Sequence, residues 1–222
     1  MKDFSILYDN AYFDKRKSND KKRMISFEKE KVLLEKFVNF NGNVCDVGCS
    51  TGEFLQAIKW QGPKFGMEIN GDAMELARAS GISFERDLFN TTNYFDLIVF
   101  RGTIQHLPDP FGYIHMAYEA LKKGGYIVFL ATPNANSAVY KFFNTLPALN
   151  SQLNFYIPSN VTLSNILKNN EFEVLEIERP YLNSPYANPI LDHIKFIYCL
   201  ITRKKPNFAF WGNMMNIIAR KN

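Results

Sequence analysis

The segment Val44-Cys45-Asp46-Val47-Gly48-Cys49-Ser50-Thr51-Gly52 carries the strongest chemical signal in the chain. An apolar run of strand character enters a turn punctuated by Gly48 and Gly52, and a helix is expected from Glu53. Glycine has no Cβ, so bare backbone can approach a ligand at such a turn. About twenty residues on, the usual offset of a ribose-binding carboxylate, a second apolar run, Lys64-Phe65-Gly66-Met67, ends in Glu68. A carboxylate there can accept hydrogen bonds from both hydroxyls of a ribose. Turn and carboxylate together point to a nucleoside cofactor.

Spacing disfavours two phosphate-bearing cofactors. A nicotinamide dinucleotide calls for G-x-G-x-x-G, so that the helix can cradle a pyrophosphate. The pattern here is Gly48-x-x-x-Gly52, and no Gly-Lys-Ser/Thr follows as in a nucleotide-hydrolysing loop.

The elements that must hold these residues follow from periodicity. Phe27, Val32, Leu33, Phe37 and Val38 recur at helical spacing over 24–40, and Asn41-Gly42-Asn43 stops that helix. Strands are then expected at 43–47, 64–68, 82–84 and 95–100, with a fifth from Tyr126 to Ala131. Helices fall between them, from 53 to about 60, around Ala73 to Ala77, and over 110–122. The rhythm implies an α/β fold with a doubly wound parallel sheet. Residues 132–158 are rich in Asn and Pro and are expected as an insertion over the sheet's carboxyl edge. A helix over 161–169, capped by Ser159 or Asn160, should precede a strand at 172–177. A loop from Pro180 to Pro189, a helix near 190–202 and a closing strand through Phe208–Trp211 and Met214–Ala219 complete the reading.

The chain has 222 residues, with 46% hydrophobic and 22% charged, which suits one α/β domain with a full core. The expected organisation is a single domain over 1–222. An N-terminal arm and helix occupy 1–40, a cofactor-binding core 41–131, and acceptor-side insertions with closing strands 132–222. Net charge is +4, too mild to imply DNA or RNA by itself. The basic clusters Lys15-Arg16-Lys17, Lys21-Lys22-Arg23 and Arg203-Lys204-Lys205 read as solvated surface. Cys45, Cys49 and Cys199 offer no disulfide framework, and no carboxylate cluster offers the oxygen shell of a metal site. The start lacks an apolar signal core and no run reaches membrane-spanning length, so a cytoplasmic protein is expected.

The residues resemble the class I S-adenosylmethionine-dependent methyltransferases over roughly 40–180, a range set by motif positions. Val44 to Gly52 resembles the family's glycine motif, with Ser50 in place of the middle Gly. Glu68 stands at the family's ribose position and Asp87 at its adenine position. Phe95-Asp96-Leu97-Ile98-Val99, followed by Arg101-Gly102-Thr103-Ile104-Gln105-His106-Leu107, resembles the fourth strand and the loop under the methionine end. Ala120-Leu121-Lys122-Lys123-Gly124-Gly125-Tyr126-Ile127-Val128 resembles the helix–turn–fifth-strand segment. Singly each is weak; in this order they are specific.

The resemblance implies a Rossmann-like sheet of seven strands, the last antiparallel, with helices on both faces. It also implies S-adenosylmethionine as donor and S-adenosylhomocysteine as product. Methyl transfer from a sulfonium asks the protein mainly to hold donor and acceptor in line. The implied cofactor contacts are Asp46 and the backbone of Gly48, Cys49, Ser50 and Gly52 at the amino-acid end. Glu68 takes the ribose, Ile69 one adenine face, Asp87 and the Leu88 amide the adenine edge, and Arg101 with Gly102 the methionine end. Asp46 has a structural alternative, capping the next helix, and Arg101 another, as an ion-pair partner.

His106 is the first candidate for a general base, because it follows the fourth strand at the carboxyl edge. Its alternative is to cap or pack the short helix before Pro108. His193, beside Asp192, could replace it, while His115 is expected to be structural. The segments 132–158 and 181–188 are rich in Asn, Ser and Tyr, which suits a sugar or glycan precursor as acceptor. A quinone-like phenol is the second choice; RNA or protein is another, and a non-catalytic cofactor-binding partner module lies outside the enzyme class. Tyr12 and Arg16 could close over the cofactor, and a homo-oligomer is compatible with the sequence. The run Ile194 to Ile201 beside Arg203-Lys204-Lys205 is expected as a core-facing helix with a solvated basic end, rather than a membrane-surface helix.

Overall fold

Helix α1 spans Asp20–Leu34 in the computed structural model, which describes residues 20–147, 149 and 153–222. Tyr12 and Arg16 lie outside the described residues. Phe27, Glu30 and Leu34, three and four residues apart, form the buried stripe of α1. The next elements are β1 Val44–Val47, α2 Glu53–Ala57, β2 Lys64–Met67 and α3 Gly71–Ala79. They are followed by β3 Phe95–Arg101, a 3-10 turn Ile104–His106, α4 Pro110–Ala120 and β4 Leu121–Pro133. The last third contains α5 Ala138–Phe143, α6 Asn160–Asn169, β5 Phe172–Glu178, α7 Pro189–Thr202 and β6 Met214–Lys221.

Six strands among the described residues form one mixed sheet in the order β2-β1-β3-β4-β6-β5. β1 runs parallel to β2 and β3, β4 runs parallel to β3, and β6 lies antiparallel between β4 and β5. Side chains alternate along each strand, so each strand feeds two cores. Cys45, Val47, Ile98, Phe100, Ile127 and Phe129 meet α4 and α6 on one face. Val44, Leu97, Val99, Val128 and Leu130 meet α1, α2 and α3 on the other. Phe100 and Phe129 are register partners whose rings stack at 5.2 Å. Such a pair adds about 0.5–1.5 kcal/mol to its area burial.

The chain order reverses between β1 and β3, with β2 on one side of β1 and β3 on the other. This is the switch point at which doubly wound sheets open a crevice beyond their strand ends. The glycine turn after β1 and the Arg101-Gly102-Thr103 turn after β3 both lie there.

Several expectations change in detail. The strand expected at 82–84 is a single bridge from Phe65 to Ser83, so the described residues form six strands rather than seven. Gly81, at φ +80°, leads from α3 into this segment. α1 starts at Asp20 and ends at Leu34, earlier than expected at both ends. Phe208–Trp211 belongs to no strand; Phe208 and Phe210 pack with Val139, Leu146 and Cys199 in a third cluster under the sheet's carboxyl edge. α7 is not core-facing along most of its surface: only Asp192 and Cys199 are buried. Among the described residues no helix is long and apolar enough to cross a membrane.

Candidate functional site

Asp46 comes from β1 and is buried. α2 runs from Glu53, with Gly52 as its N-cap at φ +79°. Gly48 adopts φ +77°, and its N–H donates to the Met67 carbonyl at 2.7 Å. A Cβ at Gly48 would lie 2.6 Å from Thr103 Oγ1. Gly48 is thus required twice, by its left-handed backbone and by the closeness of the β3 turn. Gly48→Ala is expected to weaken S-adenosylhomocysteine binding at least tenfold, about 1.4 kcal/mol, in titration calorimetry. Unchanged affinity would separate this turn from cofactor binding.

Ser50, where the resembling family has glycine, also takes a left-handed conformation, φ +49°. Its N–H donates to Glu68 Oε2 at 2.9 Å. Glu68 Oε1 accepts from the N–H groups of Ile69 and Asn70 at 2.7 and 2.9 Å. The carboxylate therefore ties the turn after β1 to the turn after β2. An ionised carboxylate has about four acceptor sites, so these three bonds leave room for a hydroxyl. Gly48, Cys49, Ser50, Glu68 and the exposed Ile69 all line one cavity. Burial, then the charges of Asp46 and Glu68, push the Cys49 thiol well above its ordinary range, so it is a neutral wall and no nucleophile.

Asp87 also lines the cavity. Its Oδ1 accepts from the N–H groups of Phe89 and Asn90 at 2.8 and 3.1 Å, which closes the loop that carries it. Phe89 and Tyr113 meet edge to face at 5.4 Å on the same wall. The sequence alone did not single out this pair, since Phe89 lies in a loop and Tyr113 on α4, with no local spacing to join them. Gly52 and Leu88 are not on the wall. A Cβ at Gly52 would lie 2.6 Å from Ile82 Cδ1, and the Leu88 side chain is buried in the core on the α4 face.

Arg101 and Gly102 line the cavity beyond β3. The Arg101 guanidinium, however, is taken by Glu30 of α1, at 2.6 Å to Oε2 and 3.1 Å to Oε1. It also lies over the Phe27 ring, 4.3 Å from the centroid. Burial raises the Glu30 carboxyl above its ordinary range, with Arg101 pulling the other way. The ion-pair alternative for Arg101 is therefore realised, and its partner is a residue the sequence alone did not single out. Its signal was available: one acid within the apolar stripe of α1.

His106 lines the cavity from the 3-10 turn. Its Nδ1 is 3.0 Å from the Leu153 carbonyl, which can only accept, so Nδ1 carries the proton. Nε2 then holds the lone pair, facing Gln105 Nε2 at 3.1 Å. Gln105 Nε2 also donates to the Gly102 carbonyl, and the Gln105 carbonyl accepts from Phe155 N–H. This network fixes the ring and pins the 153–156 segment over the cavity. His193 is exposed, bonds to the Pro189 carbonyl and is not on the wall; His115 is exposed on α4. Neither meets the site.

The cavity measures about 2250 Å³, more than twice the upper end of a usual small-molecule pocket, roughly 1,000 Å³. It has space for a cofactor and a sizeable acceptor. Beyond His106 its wall carries an apolar patch of Leu146, Leu153, Phe155, Leu182, Phe210 and Trp211, interleaved with polar Arg179, Asn183, Ser184 and Asn207. Several Asn and Ser residues of these loops are spent on local structure, most of them away from the cavity. Asn134 Oδ1 accepts from Asn136 and Asn160 N–H, and Ser137, Ser159 and Asn188 cap α5, α6 and α7. Asp192 is the buried acid on this side. Its Oδ2 accepts from the Tyr181 hydroxyl at 3.0 Å and from the Asn188 N–H at 2.7 Å. Burial first, and then Asp192, push the Tyr181 hydroxyl up to about 12.

Comparisons with known proteins agree with this geometry. A protein-family profile described as "Methyltransferase domain" matches residues 17–177. A ubiquinone biosynthesis O-methyltransferase of Hydrogenovibrio crunogenus is 29% identical over 112 residues, covering 45% of this chain and 46% of that protein. The chain thus spans about half the length of the curated relatives it matches. Among solved structures, a SAM-dependent methyltransferase from Archaeoglobus fulgidus superposes with a TM-score of 0.64 at 22% identity, covering 96% of this chain and all of that one. A possible histamine N-methyltransferase from Thermotoga maritima also reaches 0.64, at 18% identity, covering 99% and 98%.

Proposed function

We propose that this chain, which belongs to the methyltransferase-domain family, uses S-adenosylmethionine to methylate the oxygen of a phenolic, quinone-like ring. The donor supplies an electrophilic methyl group on a sulfonium; the protein supplies positions. Asp46, the Gly48-to-Ser50 backbone, Glu68, Ile69 and Asp87 bind it along the switch point.

The acceptor assignment rests on the apolar patch of the wall beyond His106. Phe155, Phe210, Trp211 and Leu182 suit a flat ring with an apolar tail, since aromatic faces recognise one another by offset or edge contact. A sugar, the acceptor favoured by loop composition, needs a ring of free donors and acceptors, and many of the Asn and Ser side chains are engaged in caps and turns. The named activity of the Hydrogenovibrio crunogenus relative points the same way. The test is label transfer from methyl-labelled S-adenosylmethionine to a catechol with an alkyl side chain, with nucleotide sugars in parallel. Labelled methyl ether on the catechol alone supports the reading; label on the sugars alone overturns it.

A phenol ionises near pH 10, so a base must take its proton for rapid transfer at neutral pH. His106 is the base in this reading, through the Nε2 lone pair, which the acceptor hydroxyl takes over from the Gln105 N–H. His106→Ala is expected to lower kcat about a hundredfold, the lower end for a general base. Affinity for S-adenosylhomocysteine should stay within about twofold, far below the 1.4 kcal/mol of a tenfold change. An unchanged kcat would reduce His106 to the latch that holds Leu153.

A further inference from the structure

Helix α7 turns an apolar stripe to solvent. Ile190, Ile194, Ile197 and Ile201 recur at i, i+4, i+7 and i+11, which places them on one side of a helix. All are exposed, Ile190 by 80% and Ile201 by 78%. The core already holds the opposite side, where Asp192 and Cys199 are buried and Phe196 stacks on Phe210 at 4.6 Å. A helix at home in water carries charge on its outer face; no stripe position here does.

Charge around the stripe has one sign. After Glu178 the chain has a single acidic residue, Asp192, and it is buried. Arg203, Lys204 and Lys205 follow α7 directly and are exposed. A second copy docked stripe to stripe would meet them with the same basic segment. An anionic bilayer offers both an apolar interior and negative head groups. At 14 residues α7 is about 21 Å long, too short to cross a bilayer core of about 30 Å. It can lie in the interface plane. The stripe also lies close to the cavity's mouth. Leu182, Tyr186 and Trp211 are exposed and line the cavity, as do Asp192 and Lys195 of α7 itself.

We propose that α7 docks the chain on an anionic lipid bilayer. The isoleucine stripe sits at the boundary of head groups and acyl chains, and Arg203-Lys204-Lys205 lies against lipid phosphates. This surface is independent of which oxygen is methylated, and its readout is binding, not turnover.

The experiment is sedimentation of the full chain with vesicles of phosphatidylcholine alone or mixed with phosphatidylglycerol. The wild type should bind the mixed vesicles, bind neutral ones more weakly, and release as salt rises. Replacing Ile194 and Ile201 together by Asp should lower partitioning by at least about tenfold. Replacing Arg203, Lys204 and Lys205 together by Ala should lower it about a hundredfold on mixed vesicles. Melting temperature should hold in both variants, because the changed residues are exposed. Three results would overturn the proposal. One is wild type that ignores both vesicles at low salt. Another is binding unaffected by the Ile194→Asp/Ile201→Asp change. The third is a concentration-dependent dimer, seen by light scattering, that the same change abolishes.

Discussion

Glu68→Ala should lower affinity for S-adenosylhomocysteine about a hundredfold, close to 2.7 kcal/mol. Two contributions add. The variant removes a charged acceptor for the ribose hydroxyls, and bonds to a charged group are worth roughly 1.5–3 kcal/mol each. It also releases the N–H groups of Ser50, Ile69 and Asn70, so the turn after β1 keeps only its backbone bonds to Met67 as a tie to the end of β2. Ser50 sits at φ +49°, a conformation that costs a non-glycine residue about 1–3 kcal/mol unless its surroundings hold it. Glu68→Gln keeps one carbonyl acceptor and should lose less. Calorimetry reads the affinity, and a melting curve of the free protein separates binding from folding. Equal affinity in Glu68→Ala and wild type would remove Glu68 from the cofactor site.

Glu30→Ala should destabilise the fold by about 3 kcal/mol, the lower end for breaking a buried pair, because Arg101 keeps some solvent access. Its guanidinium would stay between Phe27 and Phe54 without its carboxylate. For a chain of this length each kcal/mol moves the melting temperature by roughly 2–4 °C, so a fall of about 6–12 °C is expected. Pairing Glu30→Ala with Arg101→Met should recover much of that loss, since an apolar pair needs no desolvation. A melting temperature unmoved by Glu30→Ala would mean that Phe27, Leu33 and Leu34 alone seat α1 on the sheet. The pair also explains why Arg101, on the cavity wall, is not a free cation for the methionine carboxylate: its fork is already bidentate to Glu30.

Much of the cofactor half was legible in the residues themselves. Gly48, Ser50 and Glu68 lie within turns whose geometry is local, and strand periodicity places those turns at one sheet edge. Central strands came out almost residue for residue, β1 at Val44–Val47 and β3 at Phe95–Arg101, because continuous apolar runs are buried on both faces. The strand expected at 82–84 failed for a tertiary reason. An edge segment needs a sustained ladder, and only Ser83 reaches Phe65.

The acceptor half depends on contacts distant in sequence, which composition does not report. Asn and Ser suggested a polyol, yet whether such a side chain faces a ligand or closes its own loop depends on the backbone around it. Asn134 meets Asn160 and Gly212, far along the chain, and that folding withdraws it from the cavity. The same applies to Glu30 with Arg101 and to Asp192 with Tyr181, buried partners joined across elements. α7 shows the division most plainly. Its sequence determined an amphipathic helix with a basic end, since spacing and caps are local. Only the tertiary structure decided which face is covered: Phe196 and Cys199 took the inner positions against Phe208 and Phe210, leaving the isoleucine stripe outside.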